Sequence, residues 1–356
     1  MSEALDASPG YCFPGIMSHP KTEKSDLGHP KRVTLQDIAN AAGVHIMTVS
    51  NALSSTRSVA PETRARVLRI ARELNYVPNS AARALATGRT GLIAILSGPT
   101  NEPYYGTMVS LVEECLNADG YKLVLMRTPY DVKGLIDATG NTKVDGAIAI
   151  DMHSVVEEFR RHSAIPCVAI GTFHRTFVDC VTVDLTGAVE AALKMMLAAG
   201  RQRITYLATV HYMASEEESR ARTYIATMKR AGREPNIINV NTGIFNEVGP
   251  RLKRHIKKNG CPDALLCQND ETTMCAYRTL RELGFRVPED VLLVGCDGQI
   301  HMKYFDTPLS TIIQPMQETC ATAWRFLKQR LANPSLPLQH ATLAGELVVR
   351  ESLRAS

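Results

Sequence analysis

Residues 33–53 read VTLQDIANAAGVHIMTVSNAL. Thr34 followed three residues later by Asp37 has the form of a capping box, in which a side-chain oxygen takes up an unpaired N–H of the first helical turn and the acid answers the cap's own N–H. Behind it Leu35, Ile38, Ala39 and Ala42 fall on one helical face. Gly43 gives the backbone freedom for a sharp turn, Val44 plugs the angle, and Ile46 to Leu53 reads as a second helix with Val49, Ala52 and Leu53 inward. Pro61 suits the first position of a third helix, whose Val67, Leu68, Ala71 and Leu74 extend the apolar stripe until Asn75 and Pro78 stop it. The spacing predicts a helix-turn-helix.

The charge agrees with that reading. The chain of 356 residues carries a formal +4, but residues 31–90 hold nine Lys/Arg against three Asp/Glu, residues 1–30 hold two against four, and the rest is balanced. A basic face on an otherwise neutral protein is the electrostatic footprint of a module that neutralises phosphates; the plainer alternative is a solvated helical surface. Residues 1–30, rich in Pro, Gly and Ser and without apolar periodicity, read as a disordered tail. Residues 31–78 form the basic module, and NSAARALATGRT within 79–90 reads as a weakly helical linker.

From residue 91 to 356 the texture changes. Apolar runs LIAIL, KLVLM, DGAIAI, PCVAIG, RITYLA, DALLC and VLLVGCDG alternate with amphipathic stretches such as Val109 to Ala118 and Ala188 to Ala199, the pattern of an α/β chain with parallel sheets. That many runs fit two doubly wound lobes better than one sheet, and such lobes place small ligands just beyond the carboxyl ends of their strands. Nine cysteines without a C-x-x-C pair point to reduced thiols rather than a disulfide framework or a metal site. No run is long enough to span a membrane, the start lacks a secretory signal, and no nucleophile elbow, P-loop or H-E-x-x-H is present, so no catalytic residue, cofactor or metal is expected and the chain is placed in the cytoplasm.

Taken together, VTLQDIANAAGVHIMTVSNAL, TRARVLRIARELNYVPNSAARALATGRT, EPYYGTMVSLVEECLNADGYKL, CQNDETTMCAYRTLRELGFRVPEDVLLVGCDG and PLSTIIQP, in that order, resemble the lactose-repressor/galactose-repressor family of bacterial transcription regulators over about residues 32–352. The resemblance implies a small all-α helix-turn-helix DNA-binding domain, a hinge helix, and a two-lobed periplasmic-binding-protein-like core of doubly wound parallel sheets. It implies a homodimeric regulator, a repressor, that reads a near-palindromic operator in double-stranded DNA and is controlled allosterically by a small, sugar-like effector. A cytosolic sugar-binding receptor and a sugar- or nucleoside-processing enzyme are the rival readings of the same core.

Carried over position by position, the resemblance assigns base reading to Ile46, Met47 and Asn51, of which Asn51 has the bidentate chemistry for adenine while Ile46 and Met47 offer only apolar contact or core packing. Thr34, Thr48, Ser50, Arg57, Arg64, Asn79 and Arg83 are candidates for DNA contact, with the arginines positioning on phosphates. His45 stands where Ser or Thr is usual as the helix cap; a histidine caps less well, leaving phosphate contact as an alternative. Ala82 and Leu85 match the hinge pair that wedges a leucine into the minor groove. The effector set is Tyr104, Tyr105, Arg220, Ile244, Asn269 and Asp297. Each has a plainer reading: ring packing for the tyrosines, a helix cap for Asn269, a surface ion pair with Glu216 to Glu218 for Arg220. Glu216 stands where small polar residues are common in the family, and a buried carboxylate there would disfavour anionic ligands.

Overall fold

The computed structural model describes residues 33–54, 59–77, 88–126, 143–152, 165–171, 177–216 and 218–354. The expected tail at 1–30, Arg57, and most of the 79–90 linker with Asn79, Ala82, Arg83 and Leu85 lie outside the described residues. The chain divides after Asn79 into two compact units.

Among the described residues the first unit is three helices: α1 (Leu35–Ala42), α2 (Ile46–Ser54) and α3 (Pro61–Glu73). The capping box at α1 is complete: the Asp37 amide donates to Thr34 Oγ1 at 3.3 Å and the Thr34 amide to Asp37 Oδ2 at 2.7 Å. Gly43 ends α1 at φ +63°, in the left-handed region that a side chain would strain. Ile38, Ala39 and Ala42 meet Val49 and Ala52 of α2 and Val67, Ile70 and Ala71 of α3 in one small core.

The second unit holds two lobes, each with a six-stranded sheet. The first sheet orders its strands β11-β5-β4-β3-β1-β2 and the second β12-β10-β9-β8-β6-β7. In chain order these are β1 (Leu92–Leu96), β2 (Lys122–Met126), β3 (Gly146–Ile150), β4 (Cys167–Gly171), β5 (Asp179–Asp184), β6 (Ile204–Ala208), β7 (Asn236–Asn239), β8 (Ala264–Cys267), β9 (Leu292–Asp297), β10 (Ser310–Ile313), β11 (His340–Ala344) and β12 (Glu346–Val348). All pairings are parallel except β10 with β12. Helices cover the faces: α4 (Pro103–Ala118), α5 (Thr186–Ala198), α6 (Ser219–Arg230), α7 (Phe245–Asn259), α8 (Asp270–Glu282) and α9 (Met316–Ala332). Near-continuous apolar strands such as GAIAI are buried along their whole length, as parallel strands covered on both faces must be.

Five strands escape the seven apolar runs read from the sequence: β5, β7, β10, β11 and β12. β5 shows why. It opens on Asp179, a carboxylate only 2% exposed that is tolerated because Arg330 of α9 reaches it at 2.8 Å and the Gln339 amide donates to it at 2.8 Å. Such compensation comes from partners more than 150 residues away and leaves no local signal.

The chain passes between lobes three times: after Asp184, at Gln314 and Pro315 between β10 and α9, and at Gly345 between β11 and β12. The Gly345 amide donates to the Asp184 carbonyl at 2.9 Å. A Cβ on Gly345 would stand 2.6 Å from Leu185 Cδ2 and 3.2 Å from the Ile313 carbonyl oxygen, so the three crossings form one packed seam.

Candidate functional site

Two places gather the candidate residues. On α2 and its approach, Met47 is the most exposed large apolar side chain of the motif at 57%, whereas Ile46 is half-buried against the core of the first unit, and Thr48, Ser50 and Asn51 are half-buried. Met47 is thus left facing outward, while Ile46 spends part of its surface on packing. His45 does act as the cap: its Nδ1 accepts from the Met47 amide at 3.2 Å, the role a serine or threonine oxygen plays elsewhere. Thr34 is exposed, and Arg64 on α3 is half-buried with its Nε lacking a partner among the described residues.

The second place is a cavity of about 360 Å³ in the core, within the range of small-molecule sites. It sits at the carboxyl ends of both sheets. Tyr104 and Tyr105 of α4 and Asp151, just after β3, come from the first lobe, and Arg220, Asn269 and Asp297 come from the second. The two tyrosine rings meet edge to face, 5.2 Å apart. Asp151 and Asp297 both have non-glycine positive φ, +54° and +112°, at the ends of β3 and β9. A left-handed residue at a strand end costs backbone energy, and here it lies at the cavity wall at both positions.

Arg220 is the electrostatic centre. Its Nε donates to Glu218 Oε1 at 2.8 Å, its Nη1 donates to the Gln268 carbonyl at 2.6 Å, and Asp297 Oδ1 lies 3.9 Å from Nη1. The ion pair is not on the surface: Glu218 is 0% exposed and Arg220 8%. Glu218 also caps α6 by accepting from the amides of Arg220 and Ala221. The inward carboxylate is therefore Glu218, and Glu216 is exposed. The cap geometry decides it, because only the residue directly preceding the helix can turn its side chain onto the first N–H groups.

Asn269 lines the cavity and also caps α8, its side chain accepting from the Thr272 amide at 2.9 Å. Ile244 does not line it; it is 46% exposed, and its neighbours Gly243 and Phe245 reach the wall instead. Glu102, Asp151, Thr209, Gln268, Glu271 and Gln314, which carry no family or motif signal in the sequence, also belong to the lining. Four of these directly follow strands β3, β6, β8 and β10, positions that the rule on carboxyl ends singles out.

Burial governs the acids. It pushes the Asp151 carboxyl up to about 6 against the pull of Arg220 and a Tyr104 hydrogen bond, and raises Asp297 well above the carboxylate range even with Arg220 beside it. Glu102 and Glu271 are raised by burial, and Glu102 further by the charge of Glu271. Behind the wall, Asp270 accepts from Thr311 Oγ1 at 2.7 Å and from the Gln299 amide at 2.6 Å, and burial lifts it to about 7.

Comparison with known proteins bears on both places. Residues 34–79 match the family described as bacterial regulatory proteins, lacI family, and residues 193–353 match the periplasmic binding protein-like domain. The transcriptional regulator CelR of Thermobifida fusca is 30% identical over 336 residues, spanning 90% of this chain and 98% of its own. The transcriptional regulator DegA of Bacillus subtilis is 29% identical over 334 residues, with the same coverage of 90% and 98%. Among solved structures, a complex of CelR with cellobiose superposes with a TM-score of 0.65 at 26% identity, covering 90% of this chain and all of the other. A lac repressor dimer bound to operator shares the fold, with a TM-score of 0.76 at 22% identity over 91% of this chain and all of the other.

Proposed function

Since this chain belongs to the lacI family of bacterial regulatory proteins, we propose that it is a homodimeric repressor whose grip on a near-palindromic operator is set by a small sugar-like effector in the core cleft. The carrying observation is that one cavity takes side chains from both lobes, Tyr104, Tyr105 and Asp151 from one and Arg220, Asn269 and Asp297 from the other. A ligand bound there interacts differently with open and closed lobes, and that difference is what lets it shift a conformational equilibrium.

On this reading α2 of each copy lies in the major groove, with Met47 against a thymine methyl and Asn51 on an adenine edge. Thr34, His45, Thr48, Ser50, Arg57, Arg64, Asn79 and Arg83 hold the backbone, and residues 79–90 form a hinge helix that is too short to persist alone. Ala82 and Leu85 place the minor-groove wedge, where unstacking costs a few kcal/mol, offset by the contacts of bent DNA. The protein acts in the cytoplasm and performs no covalent chemistry. Among the described residues no helix is long and apolar enough to cross a membrane.

A mobility-shift assay of the full chain on DNA upstream of its own reading frame tests the reading. Affinity should fall steeply as salt rises from about 50 to 200 mM, since each neutralised phosphate contributes a slope near −0.9. Leu85→Ala should weaken specific binding far more than nonspecific binding. Salt-independent affinity refutes the DNA role, and an equal loss for both kinds of DNA refutes the wedge.

A further inference from the structure

The linker enters the core at residues 89–91 through a set of side-chain bonds. Arg89 is exposed, yet its Nη2 donates to the Leu331 carbonyl at 3.1 Å and its Nη1 to the Tyr121 hydroxyl at 3.5 Å. Leu331 lies in the last turn of α9, where carbonyls lack an N–H partner within the helix and a cation meets the negative end of the helix dipole. Tyr121 in turn packs edge to face on Trp324 of α9, with ring centroids 5.0 Å apart. One carboxylate takes the next two residues: Asp145 Oδ1 accepts from the Thr90 amide at 2.7 Å and the Thr90 hydroxyl at 2.9 Å, and Oδ2 from the Gly91 amide at 2.8 Å. The Thr90 hydroxyl also accepts from the amide of Leu92, the first residue of β1, at 3.1 Å.

The elements that make these bonds are themselves fixed to the first lobe. Asp145 directly precedes β3, which pairs with β1. Helix α9 buries Cys320, Ala323, Trp324 and Leu327 in that lobe's core, and Trp324 and Lys328 both donate to Asp119 at the end of α4, at 2.7 and 2.6 Å. Groups carried on packed elements hold a narrower geometry than groups on loops. β1 already pairs with β2 and β3, so the strand does not need Arg89 or Asp145 for its own ladder. We propose that Asp145 and the last turn of α9 form a socket for residues 89–91, and that this socket, with Arg89 as its positioning residue, sets how tightly the operator is held without touching it. A linker that leaves from a fixed point has less freedom to lose when the linkers of two copies settle on one operator. Nonspecific binding is carried by phosphate contacts, does not require the linkers to align, and is spared. The proposal rests on the operator-binding reading and extends it to residues of the core.

Mobility shifts of the full chain compare an operator selected by the wild type from randomised duplexes with a scrambled duplex of the same length. Arg89→Ala and Asp145→Ala should each lose about tenfold or more on the operator, the scale of fixing the backbone of one further residue, and less than about threefold on the scrambled duplex. Arg89→Lys, which keeps a donor for the Leu331 carbonyl, should stay within about threefold of wild type. The salt slope should not change. Asp145 gives the sharper test, because removing an acid would by charge alone tighten binding to DNA. Melting curves establish that the variants are folded; if Asp145→Ala is not, Asp145→Asn, which gives up the acceptor for the Gly91 amide, takes its place. Operator binding by the Asp145 variant at wild-type strength or above overturns the socket. So does an Arg89→Ala loss that is equal on both duplexes with a salt slope flatter by about 0.9 per copy, the mark of a phosphate contact. A wild type that enriches no duplex overturns the operator reading itself, and the socket's role with it.

Discussion

Asp270 makes the clearest quantitative demand on this structure. It is 0% exposed, at the start of α8, and burial raises its carboxyl from 3.8 to about 7 in spite of hydrogen bonds from Thr311 and from the Gln299 backbone. The folded state therefore holds this proton more tightly than the unfolded chain does. Its contribution to stability is fully present below pH 3.8 and is lost as pH rises through about 7. A shift of ~3 units corresponds to ~4 kcal/mol over the full range, of which ~2.5 kcal/mol falls between pH 5 and 8. The Asp270→Asn variant keeps an acceptor for the Gln299 amide and a donor for Thr311 Oγ1, but has no proton to lose. Urea unfolding at pH 5 and pH 8, followed by fluorescence of Trp324, the sole tryptophan and a residue of the core, should show wild type losing ~2.5 kcal/mol more than the variant across that interval. Asp151, Glu102 and Glu271 titrate in both proteins and largely cancel in the comparison. An equal pH slope for the two would refute the argument that desolvation dominates at this site.

Three further outcomes follow from the geometry. Thr34→Ala removes the acceptor for the Asp37 amide and half of the capping box, and should cost the first unit about 1 kcal/mol, read from urea denaturation followed by helical circular dichroism; no change would deny the cap its role. Glu218→Ala leaves the buried Arg220 guanidinium without its 2.8 Å partner and should destabilise the core by ~3 kcal/mol, the lower end for a broken buried pair because Asp297 remains near; a loss under ~1 kcal/mol in urea titration would contradict that. Gly295→Ala in β9 places a Cβ 2.3 Å from Asp270 Oδ1 and 2.6 Å from Thr273 Oγ1, so the core should lose ~1–3 kcal/mol; an unchanged urea midpoint would mean that the α8–β9 contact yields freely.

What the sequence disclosed follows the range of the forces involved. The helix-turn-helix was legible because the bonds and turn that define it lie within a few residues: Thr34 with Asp37, the left-handed Gly43, His45 with the Met47 amide. Core strands buried on both faces were legible as apolar runs. The strands that escaped notice owe their burial to distant partners, as Asp179 does to Arg330. In the cleft, Asp297 and Asn269 were found through family resemblance, while Asp151 and Gln268 occupy equivalent strand ends and carried only the general rule on such ends. Glu216 and Glu218 cannot be told apart by composition, since both sit in one acidic run; the start of α6 distinguishes them. Ile244 missed the wall by one position in a connection with no periodicity to fix which side chain turns inward.

Gln314, absent from the residues singled out in the sequence, joins the cleft to the seam between lobes. Gln314 lies at one of the three crossings, and its Nε2 donates to Asp297 Oδ1 at 2.7 Å, so an Asp297 that reorients toward a ligand acts on a crossing through a single hydrogen bond. That crossing follows Ile313, whose carbonyl stands 3.2 Å from where a Gly345 Cβ would be, and Gly345 in turn donates to Asp184. Close-packed seams of this kind have little continuous give, and they respond to a local change by moving between discrete arrangements.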